Sequence, residues 1–170
     1  LEVGGGTGGL TQVVLEALDG MEVDYTFTDL GPSFVNQARQ ESTRRGYGNV
    51  RFAVLDISQD LVDQGLAPTS FDIVVGYNVV HATPDIGDCL SHLTRTLVPG
   101  GTLLLVETVR DSRLDLLIWG LTEGWWCYRD TNLRQHSPIL SLDQWDEVLS
   151  IQGLEGQTFP VSPDARFTTA

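Results

Sequence analysis

Leu1-Glu2-Val3-Gly4-Gly5-Gly6-Thr7-Gly8-Gly9 opens the chain, and its reading decides the fold. An acidic residue in an apolar start is followed by Gly4, Gly6 and Gly8 at alternate positions, directly before a helix-like stretch. Glycines at a strand-to-helix turn let the backbone approach a ligand closely and take φ values that a side chain would forbid. Glu2, just ahead of them, suits a ligand with a cationic head better than one led by phosphates. The same letters satisfy Gly4-x-Gly6-x-x-Gly9, the dinucleotide fingerprint, so the loop alone leaves two ligand classes open.

The flanking pattern is that of alternating strands and helices. Leu1-Glu2-Val3 reads as the end of a first strand, and Val13, Val14, Ala17 and Leu18 form a helical stripe over 11–18. A β-rich run over 23–28 ends at Asp29, and Gly31-Pro32-Ser33 turns the chain into a helix over 33–45. A third strand over 50–55 ends at Asp56. The near-continuous apolar run 71–77 predicts a strand covered on both faces. A helix over 86–97 stops at Pro99-Gly100-Gly101, and a fifth strand covers 102–107. This rhythm predicts a Rossmann-like α/β fold, a mostly parallel central sheet with helices on both faces. Beyond Arg110 the pattern changes to a helix over 113–126, an irregular 129–137, a helix begun by the capping box Ser141-x-x-Gln144, and a late strand over 156–161.

Composition narrows the function. The length of 170 residues suits one domain with a real core. Ten basic against 23 acidic residues give a net charge of −13, which argues against nucleic acid or an anionic membrane as the main partner. All ten bases are Arg. The lack of Lys removes Schiff-base chemistry, the P-loop Lys and the Tyr-x-x-x-Lys catalysis of short-chain reductases. Cys89 and Cys127 have no paired spacing, so they read as buried or half-buried thiols of a reducing, cytoplasmic compartment. No run of 18 apolar residues and no signal peptide is visible. The missing Met and the start inside a strand read as a piece of something longer.

In open α/β sheets ligands sit at the carboxyl ends of the strands, where strand order reverses. Asp29, with Leu30 beside it, suits both hydroxyls of a ribose. Asp56 suits the exocyclic amine of an adenine, with Ile57 against the ring. Tyr77 and Asn78 end the fourth strand, Asn78 toward the cofactor and Tyr77 toward the acceptor. His81 lies just beyond, and Gly120-Leu121-Thr122-Glu123-Gly124-Trp125-Trp126 sets a carboxylate beside two tryptophans. An imidazole suits the removal of an acidic proton, and a carboxylate suits holding its tautomer.

Glu2 to Gly8, Asp29, Asp56, Phe71-Asp72-Ile73-Val74 and Leu97-Val98-Pro99-Gly100-Gly101 together resemble the ordered motifs of class I methyltransferases. That resemblance implies S-adenosyl-L-methionine as cofactor, with S-adenosyl-L-homocysteine as product. It assigns Glu2, Gly4, Gly6, Gly8, Asp29, Leu30, Asp56, Ile57 and Asn78 to the cofactor. Tyr25-Thr26-Phe27-Thr28-Asp29, Asn78-Val79-Val80-His81-Ala82-Thr83, Gly120 to Trp126 and Ser137-Pro138-Ile139-Leu140-Ser141 with Trp145 further resemble the C-methyltransferase domains of polyketide synthases.

In that family the α-carbon of a β-ketoacyl chain is methylated while an acyl carrier protein holds it through phosphopantetheine. The resemblance implies a catalytic His81–Glu123 pair, Tyr77, Trp125 and Trp126 lining the acceptor, no metal, and other synthase domains as partners. It divides the chain into a cofactor-binding half, 1–109, and an acceptor half, 110–170, without the family's N-terminal lid subdomain. Arg110, Arg113, Arg129 and Arg134 are the bases flanking the acceptor half. Methylation of oxygen or nitrogen, and a non-catalytic scaffold, remain the alternatives.

Overall fold

A computed structural model describes residues 1–159. Five parallel strands form one sheet: β1 (Glu2–Val3), β2 (Tyr25–Asp29), β3 (Val50–Val54), β4 (Phe71–Tyr77) and β5 (Leu97–Val106), in the order β3-β2-β1-β4-β5. The chain steps outward from β1 to β3, then crosses back to lay β4 on the other side of β1. Strand order therefore reverses between β1 and β4, and the crevice that such a reversal opens lies at their carboxyl ends. The Rossmann-like expectation holds.

Each face has its own apolar core. Val3, Val74, Leu103 and Leu105 pack with α3 (Ile86–Thr94) and α5 (Leu142–Ile151), whose Ile86, Leu90, Leu93, Trp145 and Val148 are buried. On the opposite face Tyr25 and Phe27 pack with Val14 and Leu15 of α1 (Gly9–Ala17) and with Val35 and Ala38 of α2 (Pro32–Arg45). Burying side chains of this size stabilises by roughly 1.5–3 kcal/mol each. Local signals set the helix ends. Asp85 accepts from the Asp88 N–H at the start of α3, and Ser141 with Gln144 forms the expected capping box of α5.

Four expectations change. β5 starts at Leu97, within the expected turn. Phe71 pairs with Leu97 but Ile73 with Thr102, so Val98-Pro99-Gly100-Gly101 is absorbed as an irregularity in the strand, with Gly100 at φ 79°. The helix over 113–126 is broken into α4 (Arg113–Ile118) and a 3₁₀ turn, Glu123–Trp126. A Cβ on Gly120 would lie 2.4 Å from the Leu116 carbonyl oxygen, and α4 buries no residue, so packing does not prolong it. Residues 154–159 carry no regular structure, and the remainder of the expected strand 156–161 lies outside the described residues. Cys89 is buried, which pushes its thiol up to about 12, whereas Cys127 is exposed just after the 3₁₀ turn, against expectation.

Candidate active site

The glycine loop leaves β1 at the reversal point. Gly4, Gly6 and Gly8 have φ of 61°, 51° and 84°, the left-handed region that glycine enters without steric cost. A Cβ on Gly4 would lie 2.2 Å from Cγ2 of Val79, so this backbone must press against the loop that follows β4. Gly4→Ala should therefore destabilise the fold by about 1–3 kcal/mol through the forced contact, beyond the left-handed cost, measurable by urea unfolding.

Glu2 lies beneath the loop and is fully buried. Its Oε2 accepts from Thr11 Oγ1 at 2.7 Å and Tyr25 OH at 2.8 Å, while Oε1 is buried without a partner among the described residues. Burial pushes its carboxyl up from the ordinary range. Glu2 was expected to face a ligand; it is closed in, and ties α1 to β2 under the loop.

Asp29 closes the loop from the neighbouring strand. Its Oδ2 accepts from the Gly6 N–H at 2.9 Å and Oδ1 from the Gly31 N–H at 2.7 Å, leaving lone pairs on both oxygens. Leu30 beside it is exposed. Asp56 lies two residues past β3, its Oδ1 accepting from the Ser58 N–H and hydroxyl, the turn geometry of an Asp. Ile57 is only 7% exposed and belongs to the core rather than presenting a broad face to the rim. Asn78 has φ 48°, and its Oδ1 accepts from Thr108 N–H and Oγ1 at 2.8 and 3.0 Å, locking the ends of β4 and β5 together. Tyr77 is exposed.

His81 sits in a 3₁₀ turn, Val80–Ala82, three residues beyond Asn78. Its Nδ1 lies 2.5 Å from Oε2 of Glu107, the residue that directly follows β5. Oε1 of Glu107 accepts from the N–H groups of Val79 and Val80 at 2.9 and 2.8 Å. Both side chains are nearly buried. Against a carboxylate, which only accepts when ionised, Nδ1 is the donor, and in the neutral imidazole that leaves Nε2 as the acceptor. Trp125 meets the imidazole edge-on, with ring centroids 6.2 Å apart.

Glu123 was expected to partner His81. It stands instead on the exposed turn Glu123–Trp126, and its side chain makes no hydrogen bond among the described residues. The carboxylate that meets His81 is Glu107, because β4 and β5 are paired and their carboxyl ends lie side by side. An acidic residue at the end of a strand, beside a strand that leads into a histidine, was the signal available. Trp125 is half-buried against His81, whereas Trp126 is 49% exposed and donates from Nε1 to the Gly120 carbonyl. His92 is half-buried in α3 and His136 is exposed. Of the four bases near the acceptor half, Arg110, Arg113 and Arg129 are exposed, but Arg134 is buried at 1% exposure and points inward.

Residues 1–103 match the family described as "Methyltransferase domain". The chain is a methyltransferase domain. It is 38% identical over 161 residues to the squalestatin hexaketide synthase of a Phoma species, covering 92% of this chain and 6% of that protein. Among solved structures, the CurJ carbon methyltransferase superposes with a TM-score of 0.88 at 37% identity, over 95% of this chain and 43% of that one. The trans-methyltransferase CalH, solved in complex with SAH, gives 0.79 at 35% identity over 88% and 42%. The methyltransferase thus belongs with the carbon-methyltransferase domains of polyketide synthases, and it spans a small part of the synthases it matches. Its cofactor is S-adenosylmethionine.

The rim fits that cofactor. Asp29, Asp56 and Glu107 put three carboxylates at or within two residues of the carboxyl ends of strands, with no Arg at those positions among the described residues, which suits a cationic sulfonium and the hydroxyls of a ribose. No helix among the described residues is long and apolar enough to cross a membrane.

Proposed function

We propose that this methyltransferase domain methylates the α-carbon of a β-ketoacyl chain held by an acyl carrier protein, with His81 as the base and Glu107 as its orienting carboxylate. The observation that supports this most is the His81–Glu107 contact at 2.5 Å, at the rim where strand order reverses. A β-ketothioester has an acidic α-proton, so a positioned imidazole suffices to take it. Nε2 of His81 accepts the proton, and the charge that develops on the ring is stabilised by Glu107 across Nδ1–H. The electron pair left on the α-carbon is the nucleophile. When bound, S-adenosylmethionine supplies an electrophilic methyl on sulfur and leaves as S-adenosylhomocysteine. Trp125 flanks the imidazole and keeps water from it; Tyr77 and Trp126 line the approach of the acyl chain.

In the same reading Gly4, Gly6 and Gly8 admit the cofactor to the backbone, Asp29 takes the ribose hydroxyls, and Leu30, Asp56 and Asn78 border the adenine and methionine ends. Glu2 supports the loop from below. Asp29→Ala should weaken S-adenosylmethionine binding by about 10- to 100-fold in calorimetry, because a charged acceptor is lost and the Gly6 and Gly31 N–H groups are freed. Residues 1–109 serve the cofactor and 110–170 the acceptor, and the partners are the carrier and the neighbouring domains of a cytoplasmic synthase. Arg110, Arg113 and Arg129 remain available to an acidic carrier. The test is to supply a β-ketoacyl carrier substrate and locate the new methyl by mass spectrometry. A methyl on the α-carbon supports the reading, and one on oxygen or nitrogen refutes it.

A further inference from the structure

The turn that carries His81 is held from behind by a buried cation. Arg134 has a fully buried side chain, and its guanidinium reaches four acceptors. Nε donates to Oδ1 of Asp130 at 2.5 Å, Nη1 to the His81 carbonyl at 2.8 Å, and Nη2 to the carbonyls of Thr83 and Pro84 at 2.9 and 3.0 Å. Asp130 also accepts from the Ile86 N–H, at the first turn of α3, and Arg129 N–H donates to the Pro84 carbonyl. The ring of Tyr128 lies 5.0 Å from the guanidinium carbon. Segment 128–134 is thereby fastened to segment 81–86 by charged and backbone contacts.

A buried cation is costly unless paired, and it needs its remaining donors satisfied. Here Asp130 balances the charge, and the three carbonyls accept from the two terminal nitrogens. Those carbonyls belong to one short segment in which Val80 and Thr83 are buried, the His81 side chain is nearly so and Ala82 is exposed. Among the described residues the His81 and Thr83 carbonyls accept from no other donors. The planar guanidinium fork holds them in a fixed geometry, which a single ammonium does not.

We infer that Arg134 is a positioning residue for the methyl transfer: its fork sets the turn of His81 so that Nδ1 meets Glu107 and Nε2 meets the α-proton. The inference rests on the reading of His81 as base. Displacing a catalytic group by about 1 Å costs of the order of 100-fold in rate, so loss of the fork is expressed in turnover before it is expressed in cofactor binding.

The test uses the full-length protein. Arg134→Lys keeps the charge and loses the fork. It should lower kcat by about 10- to 100-fold while the S-adenosylmethionine Kd and the acceptor KM stay within about twofold. Full kcat in Arg134→Lys would show that a buried positive charge suffices and overturn the inference. Parallel loss of kcat and cofactor affinity would assign Arg134 to the fold alone and overturn it as well. If Arg134→Lys does not fold, Asp130→Asn, which loosens the guanidinium and spares the carbonyl contacts, should lower kcat by about 3- to 10-fold at unchanged Kd; unchanged kcat contradicts the inference. His81→Ala run alongside separates the two levels. If it retains full rate, the base reading fails first; if it is inactive while Arg134→Lys is unaffected, only the positioning role fails.

Discussion

His81→Ala should reduce kcat by about 10²- to 10⁴-fold, the share that a positioned general base contributes, with S-adenosylmethionine affinity within about twofold of the parent. The separation follows from the placement of His81. The side chain lies on the turn after β4, hydrogen-bonded to Glu107 and beside Trp125, and among the described residues the glycine loop and Asp29 sustain their geometry without a hydrogen bond to it. Truncation removes the base and leaves Glu107 its two backbone donors, so the rim persists. The measurement is steady-state turnover together with calorimetric binding. A variant that turns over at the parent rate contradicts the assignment.

Glu107 gives the second large effect, and two substitutions divide its roles. Glu107→Gln keeps an oxygen for the Val79 and Val80 N–H groups but offers the imidazole an amide N–H. Nδ1 then accepts, the proton moves to Nε2, and the base is in the wrong tautomer. Turnover should fall by about 10²- to 10⁴-fold with little change in unfolding free energy, since the analogous carboxylate-to-amide change in a Ser-His-Asp triad acts in this way. Glu107→Ala removes the acceptor of both N–H groups as well. It should also destabilise the fold, by about 1–3 kcal/mol for each buried donor left unsatisfied. Equal stability of the two variants, measured by urea unfolding, would contradict the capping role of Oε1.

The parts of this site written in one stretch of chain were legible in the sequence. The glycine loop, Asp29, Asp56 and the Asn78-to-His81 segment each follow a β-rich run, and the carboxyl end of a parallel strand is where a ligand lies. Glu107 was passed over because its meaning depends on which strands pair. It is 26 residues from His81 in sequence and reaches it only because β4 and β5 are neighbours. Arg134, 53 residues from His81, read only as a base flanking the acceptor half for the same reason. Its burial follows from three carbonyls turned toward it, which no pattern of side chains announces. The helix over 113–126 failed on a different ground. Apolar periodicity reports a helix only where something covers its apolar face, and Leu114, Leu117 and Leu121 are 61%, 66% and 83% exposed.

The proposed removal of the α-proton by His81 can be read without any methyl transfer. The full-length protein is mixed with a β-ketoacyl carrier substrate in deuterium oxide, without S-adenosylmethionine, and deuterium uptake at the α-carbon is followed by mass spectrometry. Uptake well above the protein-free rate, falling to that rate in His81→Ala and sharply reduced in Glu107→Gln, is the predicted result. Uptake that is the same with and without the imidazole would contradict it.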